Sequence, residues 1–180
     1  IAMPGCSINN PTLTEADLRN LAVAKQYKVT DVMLPFVRNK ADLIILREAL
    51  REYGCEDIRI FAKIENMTGV EHLEELIPYC DYIVIARGDL GNAMPLSQLP
   101  RIQAHIARVC RKHNKDFMIV TQMLDSMIKN PYPTRAEVND IYHAVTQGAS
   151  TLMLTGETAH GKYPVEAMKM LVDTAEESIL

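Results

Sequence analysis

Charged and hydroxyl side chains follow short apolar runs of this sequence, at the points where strands would end. Lys63 and Glu65 close one such run, Asp89 lies shortly after the next, and Thr121 ends another. Side chains two residues apart in an extended segment leave the same face, so Lys63 and Glu65 project together. A cation and an anion therefore share one end of the predicted sheet.

Glu65 and Asp89 are the candidate metal ligands. They follow successive predicted strands, and neighbouring parallel strands lie about 4.8 Å apart, so the two carboxylates can converge. Mg²⁺ is typically held by one or two carboxylates, while water and substrate oxygens complete its octahedron. Spacing alone also allows a plainer interpretation, in which Lys63 and Glu65 form an ordinary ion pair and Asp89 caps a helix.

Gly88 and Thr121 are the candidate residues for substrate contact. Gly88 lets the backbone approach a ligand closely, and exposed N–H groups at such a turn favour a carboxylate or a phosphate. The Thr121 hydroxyl can donate to an anion or pass a proton. A glycine turn after a strand and a threonine packed in a strand are the alternatives.

Five apolar runs rich in β-branched residues predict the strands that position these side chains. They are Val32 to Val37, Ile58 to Ile64, Tyr82 to Ala86, Phe117 to Thr121 and Thr151 to Leu154. Their starts recur every 24 to 35 residues, the length of a βα unit, which is about 31 residues in an eight-unit barrel.

Segments of helical period with recognisable ends lie between these runs. They are Glu15 to Tyr27 after Thr14, Lys40 to Tyr53 before Gly54, Pro100 to His113, the stretch from the Thr134 and Glu137 capping box to Gly148, and the segment that Pro164 opens. Strict alternation of strand and helix predicts an α/β fold with a parallel sheet, in a single domain spanning residues 1–180. Chemistry is then expected at the carboxyl ends of the strands.

The composition is that of a soluble globular protein. Of 180 residues, 48% are apolar, and 19 basic residues against 23 acidic ones give a net charge of -4. This balance argues against nucleic acid or an anionic membrane as the main partner, and no apolar run approaches the roughly 20 residues of a membrane span. The sequence lacks an initiator Met and a signal peptide, so we expect an internal part of a longer protein or a processed product.

The four cysteines are scattered and form no CxxC pair. Cys6, Cys55, Cys80 and Cys110 are therefore predicted to be reduced thiols, which indicates a reducing compartment.

Several segments together resemble the pyruvate kinase family in order and spacing. They are KIEN (63–66), ARGDLG (86–91), TQMLDSMI (121–128), NPYPTRAE (130–137), MLTGETA (153–159) and GKYPVEA (161–167). The resemblance extends over most of the chain. It departs from the family at Pro35-Phe36, where Ser usually precedes Phe, and at Thr155, which replaces the usual Ser.

The resemblance implies a role for each candidate residue. Glu65 and Asp89 would hold Mg²⁺ or Mn²⁺, and Lys63 would stabilise charge on the phosphoryl oxygens and on the enolate. Backbone N–H groups of Gly88 and Asp89, with the Thr121 hydroxyl, would bind the carboxylate of phosphoenolpyruvate. Thr121 would also lie near the face on which the enolate is protonated. The possible proton relay comprises Thr155 and Glu157.

The resemblance also implies phosphoenolpyruvate or pyruvate and ADP or ATP as partners, a cytoplasmic location and a homo-oligomer. The family requires K⁺, but we expect its ligands outside this chain. Only about the last five strands of the family's eight-stranded barrel are represented, so the predicted fold is a partial TIM (β/α)8 barrel. We expect this chain alone to bind metal but not to make ATP.

Two other functions stay open. A truncated barrel could serve as a non-catalytic assembly or regulatory partner. A metal-dependent lyase or aldolase acting on a pyruvate enolate would use the same lysine, carboxylates and Mg²⁺.

Overall fold

The sheet has five parallel strands in the order in which they occur along the chain. The computed structural model describes residues 10–179. The strands are β1 (Asp31–Leu34), β2 (Arg59–Ile64), β3 (Tyr82–Ala86), β4 (Phe117–Val120) and β5 (Thr151–Met153). All five predicted strands are present, and the α/β class with βα units is confirmed. The assignment of residues 1–180 to one domain stays a prediction.

Helices connect the strands and cover one face of the sheet. They are α1 (Glu15–Ala24), α2 (Lys40–Glu52), α3 (Met67–Glu71), α4 (Leu73–Leu76), α5 (Arg87–Asn92), α6 (Leu99–Lys112), α7 (Arg135–Thr146), α8 (Gly156–Ala159) and α9 (Pro164–Glu177), with short 3-10 turns at Ile77–Tyr79, Leu96–Gln98 and Asp125–Ile128. The predicted capping box of Thr134 and Glu137 is confirmed at the start of α7.

Each strand alternates between two environments, because successive side chains point to opposite faces. Ile60, Ile83 and Ile119 belong to the main core, which includes buried helix residues. The opposite face carries a smaller buried cluster of Val84, Ala86, Met118 and Val120, against which Phe61 and Met153 pack.

Parallel pairing places the charged end of β2 on this second face. Lys63 is paired with Val84, and Ile64 with Ile85. Glu65, two residues after Lys63, therefore leaves the sheet on the same side as Lys63 and Val84. This is the face that would line the inside of a barrel.

The three described cysteines, Cys55, Cys80 and Cys110, are free and buried, whereas Cys6 lies outside the described residues. Within residues 10–179, no helix is both long and apolar enough to cross a membrane.

Candidate active site

The end of β2 carries a buried ion pair. Lys63 Nζ lies 2.6 Å from Glu65 Oε1, and the backbone N–H of Phe36 donates to Glu65 Oε2 at 2.7 Å. The Glu65 side chain is 1% exposed and that of Lys63 is 24% exposed. The carboxylate is thus compensated on both oxygens, while part of the lysine side chain remains open to solvent.

A left-handed residue brings the Phe36 N–H group to Glu65. β1 ends at Leu34, earlier than the predicted Val37, and Phe36 has a φ of 52°. Val37 then donates to the Lys63 carbonyl. The turn after β1 therefore holds the acid of the neighbouring strand.

β3 runs directly into α5, whose first turn brings together the predicted substrate residues. A Cβ atom built on Gly88 would lie 2.9 Å from Thr121 Cγ2 and 3.6 Å from Thr121 Oγ1. Gly88 is therefore in close contact with the Thr121 side chain. Asp89 is exposed on the same turn, and its side chain makes no hydrogen bond or ion pair with any other residue from 10 to 179.

Arg87 holds the backbone that carries Thr121, and sequence reasoning assigned no role to it. Its guanidinium donates to the carbonyl oxygens of Thr121 and Gln122 and forms an ion pair with Asp140. One sign of this role is visible in the sequence, the position of Arg87 directly before Gly88. Neither the conformation of the turn at Thr121 and Gln122 nor the contact with Asp140 on α7 can be read from residue spacing.

The two predicted relay residues are hydrogen-bonded to each other. Glu157 Oε2 accepts from the Thr155 N–H at 2.8 Å and from the Thr155 hydroxyl at 3.3 Å. Its Oε1 accepts from the Leu124 N–H at 3.0 Å. Burial raises the pKa of Glu157, but hydrogen bonds from the Leu124, Glu157 and Thr155 backbone and from the Thr155 hydroxyl outweigh it, so the pKa lies below its ordinary value.

A second acid, Glu137, holds the 3-10 turn Asp125–Ile128 through Ser126. One of its oxygens accepts from the Ser126 N–H and the other from the Ser126 hydroxyl, at 2.8 and 2.6 Å. The same carboxylate completes the capping box with Thr134. Capping was predictable from residue spacing, whereas the bonds to Ser126 were not.

The donor chemistry suits a divalent metal held by two protein carboxylates. Glu65 and Asp89 follow the paired strands β2 and β3, and carboxylate oxygens are the ligands that Mg²⁺ prefers. Within the described part of the chain, no group of three or more His, Cys, Asp or Glu side chains forms a fuller metal cluster. Two carboxylates alone would leave most of the Mg²⁺ octahedron to water and substrate oxygens.

Comparison with known proteins identifies the relatives of this fold and site. Residues 1–168 match the sequence profile described as "Pyruvate kinase, barrel domain". A pyruvate kinase of Clostridium acetobutylicum is 40% identical over 178 residues, which are 99% of this chain and 38% of that protein.

Two further pyruvate kinases give similar matches. The protein of Thermotoga maritima is 39% identical over 99% of this chain and 38% of its own length. The protein of Candida albicans is 40% identical over 99% of this chain and 36% of its own length. The chain thus spans less than two fifths of these curated relatives. Since the barrel-domain profile covers most of its residues, the chain belongs to the pyruvate kinase family.

Proposed function

We propose that this chain forms part of the catalytic barrel of a pyruvate kinase, which transfers the phosphoryl group of phosphoenolpyruvate to ADP and yields pyruvate and ATP. The observation that carries the proposal is the Lys63–Glu65 pair, 2.6 Å apart at the carboxyl end of β2. It lies beside the strand end that bears Gly88 and Asp89, where parallel α/β sheets carry their chemistry.

Lys63 stabilises the charge that develops during the transfer. The bond between phosphorus and the enol oxygen breaks, the phosphoryl group passes to a terminal oxygen of ADP, and the electron pair stays on the enolate. Such transfers depend on positioning and electrostatic stabilisation more than on covalent help from the protein. In this proposal the ammonium group, which pairs with the buried Glu65, interacts with both the phosphoryl oxygens and the enolate.

Glu65 and Asp89 would hold Mg²⁺ or Mn²⁺ in this proposal. The ion would supply Lewis-acid stabilisation of the negative charge on the substrate oxygens. Phe36 supports this role, because its N–H group fixes one Glu65 oxygen. The K⁺ of the family has no assigned ligand in this chain.

Thr121 takes part in the protonation of the enolate carbon, which follows the phosphoryl transfer. With the N–H groups of Gly88 and Asp89, its hydroxyl binds the substrate carboxylate, and it lies near the face on which the enolate carbon takes a proton. Thr155 and Glu157 extend this relay. Since the pKa of Glu157 is lowered, its carboxylate is ionised at neutral pH. It therefore orients the Thr155 hydroxyl as an acceptor, and the proton itself comes from solvent water.

The partners and the location belong to the same proposal. Phosphoenolpyruvate, pyruvate, ADP and ATP are the small-molecule partners, and a homo-oligomer in the cytoplasm is the expected setting. Family membership supports these statements. Three buried free thiols agree with a reducing compartment.

The test is ATP formation from phosphoenolpyruvate and ADP by the protein as its gene encodes it. Lys63→Met, which removes the ammonium group but keeps most of the side-chain length, should lower kcat about 100- to 1,000-fold. The matched control is Lys115→Met, because the Lys115 ammonium donates to the Cys80 carbonyl, away from the carboxyl ends of the strands. It should leave kcat within about twofold.

Two results would overturn the proposal. One is a complete, folded protein that makes no ATP under these conditions. If that protein instead cleaved or formed a carbon–carbon bond of a pyruvate derivative, the lyase or aldolase alternative would replace it. The other is a Lys63→Met variant with the same kcat as the Lys115→Met control.

A further inference from the structure

The backbone that presents Thr121 has an unusual conformation. Immediately after β4, Thr121 has a φ of 84° and Gln122 a φ of 53°. Residues with a Cβ atom rarely adopt positive φ angles, and β-branched residues do so least readily. The surrounding structure must therefore supply the contacts that keep this turn in place.

Arg87 supplies these contacts through carbonyl groups. Its Nη2 donates to the Thr121 carbonyl at 2.8 Å and to the Gln122 carbonyl at 3.2 Å, and its Nε donates to the Thr121 carbonyl at 3.2 Å. The arginine side chain is only 10% exposed. The planar guanidinium thus joins the two residues that have left-handed backbone angles.

Asp140 fixes the other side of the guanidinium. Its Oδ2 lies 2.6 Å from Arg87 Nη1, and Asp140 is part of α7, which begins with the capping box of Thr134 and Glu137. The carboxylate compensates the charge of a largely buried arginine. It also ties the turn after β4 to a well-capped helix.

The neighbouring residue leaves room for the Thr121 side chain. Gly88 follows Arg87 on the first turn of α5, and a Cβ atom there would lie 2.9 Å from Thr121 Cγ2. The same turn therefore holds the Thr121 backbone through Arg87 and accommodates its side chain through the missing Cβ of Gly88.

From this arrangement we infer that Arg87 and Asp140 are a positioning pair, which holds the Thr121 hydroxyl where it passes a proton to the enolate carbon and takes its replacement from solvent water. This inference rests on the proposed function. The guanidinium donors are directed at Thr121, Gln122 and Asp140, so Arg87 acts through Thr121 and not on the substrate. No covalent step is assigned to either residue of the pair.

A double-mutant cycle in the complete protein tests the pair. Thr121→Val, Asp140→Asn and the double variant are compared by exchange of solvent deuterium into the methyl group of pyruvate, followed by NMR with ATP and Mn²⁺ present. Asp140→Asn should slow exchange about 10- to 100-fold, the effect of a misplacement of up to 1 Å. In the Thr121→Val background, the same change should slow exchange less than about twofold.

Asp81→Asn is the matched control. Asp81 also pairs with an arginine, with Arg47 Nη2 at 3.2 Å from its Oδ2, and it accepts from the Ile60 N–H. It lies before β3, at the opposite end of the strands from Thr121. Its removal should lower the melting temperature but leave exchange per folded molecule unchanged. The same cycle is then repeated with Arg87→Lys in place of Asp140→Asn.

The outcomes separate this inference from the proposed function. If the wild-type protein neither makes ATP nor exchanges the methyl protons, the proposed function fails. If it does both, but the losses from Asp140→Asn and Thr121→Val multiply in the double variant, only the positioning role fails. Normal exchange in a folded Asp140→Asn variant would overturn that role as well.

Discussion

Adding one methyl group at Gly88 tests whether the Thr121 hydroxyl must be precisely placed for the proposed reaction. In Gly88→Ala, the new Cβ would lie 2.9 Å from Thr121 Cγ2. Two carbon atoms are at their optimal separation at about 3.5–4.0 Å. The contact can be relieved only if the threonine side chain or the turn that bears it moves by roughly 0.6 Å or more.

That movement should slow the step that needs the Thr121 hydroxyl. A displacement of about 1 Å in a reacting geometry costs up to roughly 100-fold in rate, which corresponds to about 2.7 kcal/mol in the activation free energy. We therefore expect Gly88→Ala to lower the rate of methyl-proton exchange of pyruvate about 10- to 100-fold in the complete protein. The measurement is the NMR exchange assay.

Two variants isolate the steric cause. Gly91→Ala lies on the same short helix, but its Cβ would meet only Leu96 and Leu99, at 3.5 and 3.6 Å, which are ordinary contacts. It should exchange like the wild type. Thr121→Ser keeps the hydroxyl and removes Cγ2, so Gly88→Ala should slow exchange far less when it is introduced into that variant.

The reasoning is refuted if Gly88→Ala exchanges methyl protons within about twofold of Gly91→Ala. It is also refuted if the loss is equally large in the Thr121→Ser background, because the clash with Cγ2 is then not its cause.

Three further predictions concern metal binding by Glu65, the contribution of Glu157 to stability and the reactivity of Cys110. Glu65→Gln should weaken Mn²⁺ binding by at least about tenfold in an EPR titration. The control Glu74→Gln, which loses only exposed contacts with Lys112 and His113, should not change it. Glu157→Gln should lower the free energy of unfolding at neutral pH by about 1–3 kcal/mol in urea titrations. The pKa of Glu157 in the folded protein is below the ordinary 4.5. The stability difference should therefore persist above pH 4.5 and shrink as the pH falls through the folded pKa. Burial raises the pKa of Cys110 to about 12, so iodoacetamide at pH 8 should label it only when urea unfolds the chain, and labelling of the native protein would contradict this.

The strands were predictable because they are short apolar runs whose side chains are buried in the sheet. Phe117–Val120 is buried throughout, and such continuous apolar runs have few alternatives to a buried parallel strand. The same-face relation of Lys63 and Glu65 followed from the two-residue period alone. The observed 2.6 Å contact agrees with that expectation. The metal and substrate roles of these residues stay predictions.

Sequence reasoning missed the places where the backbone departs from regular structure. Phe36, Thr121 and Gln122 have positive φ angles, although none belongs to the residue types that favour them. Thr121 was predicted as the last residue of a strand, whereas β4 ends at Val120. Long-range contacts such as that of Arg87 with Asp140 decide these conformations, and residue spacing carries no record of them.

The backbone of the segment after β4 is held by charged side chains, and the sign of each charge matches the group that it binds. Its carbonyl groups, at Thr121 and Gln122, accept from the cation Arg87. Its N–H groups, at Leu124 and Ser126, donate to the carboxylates of Glu157 and Glu137.

Each of these four backbone groups is thus paired with a side chain of the charge that suits it, and charge-assisted hydrogen bonds are the stronger kind. A segment fixed in this way loses little conformational freedom when a substrate binds, which is the condition for efficient positioning. The acids and the arginine around Thr121 therefore have a physical reason to be charged even where they do not contact the substrate. Neutral substitutions among them should be expressed in the rate of the proton-transfer step as well as in stability.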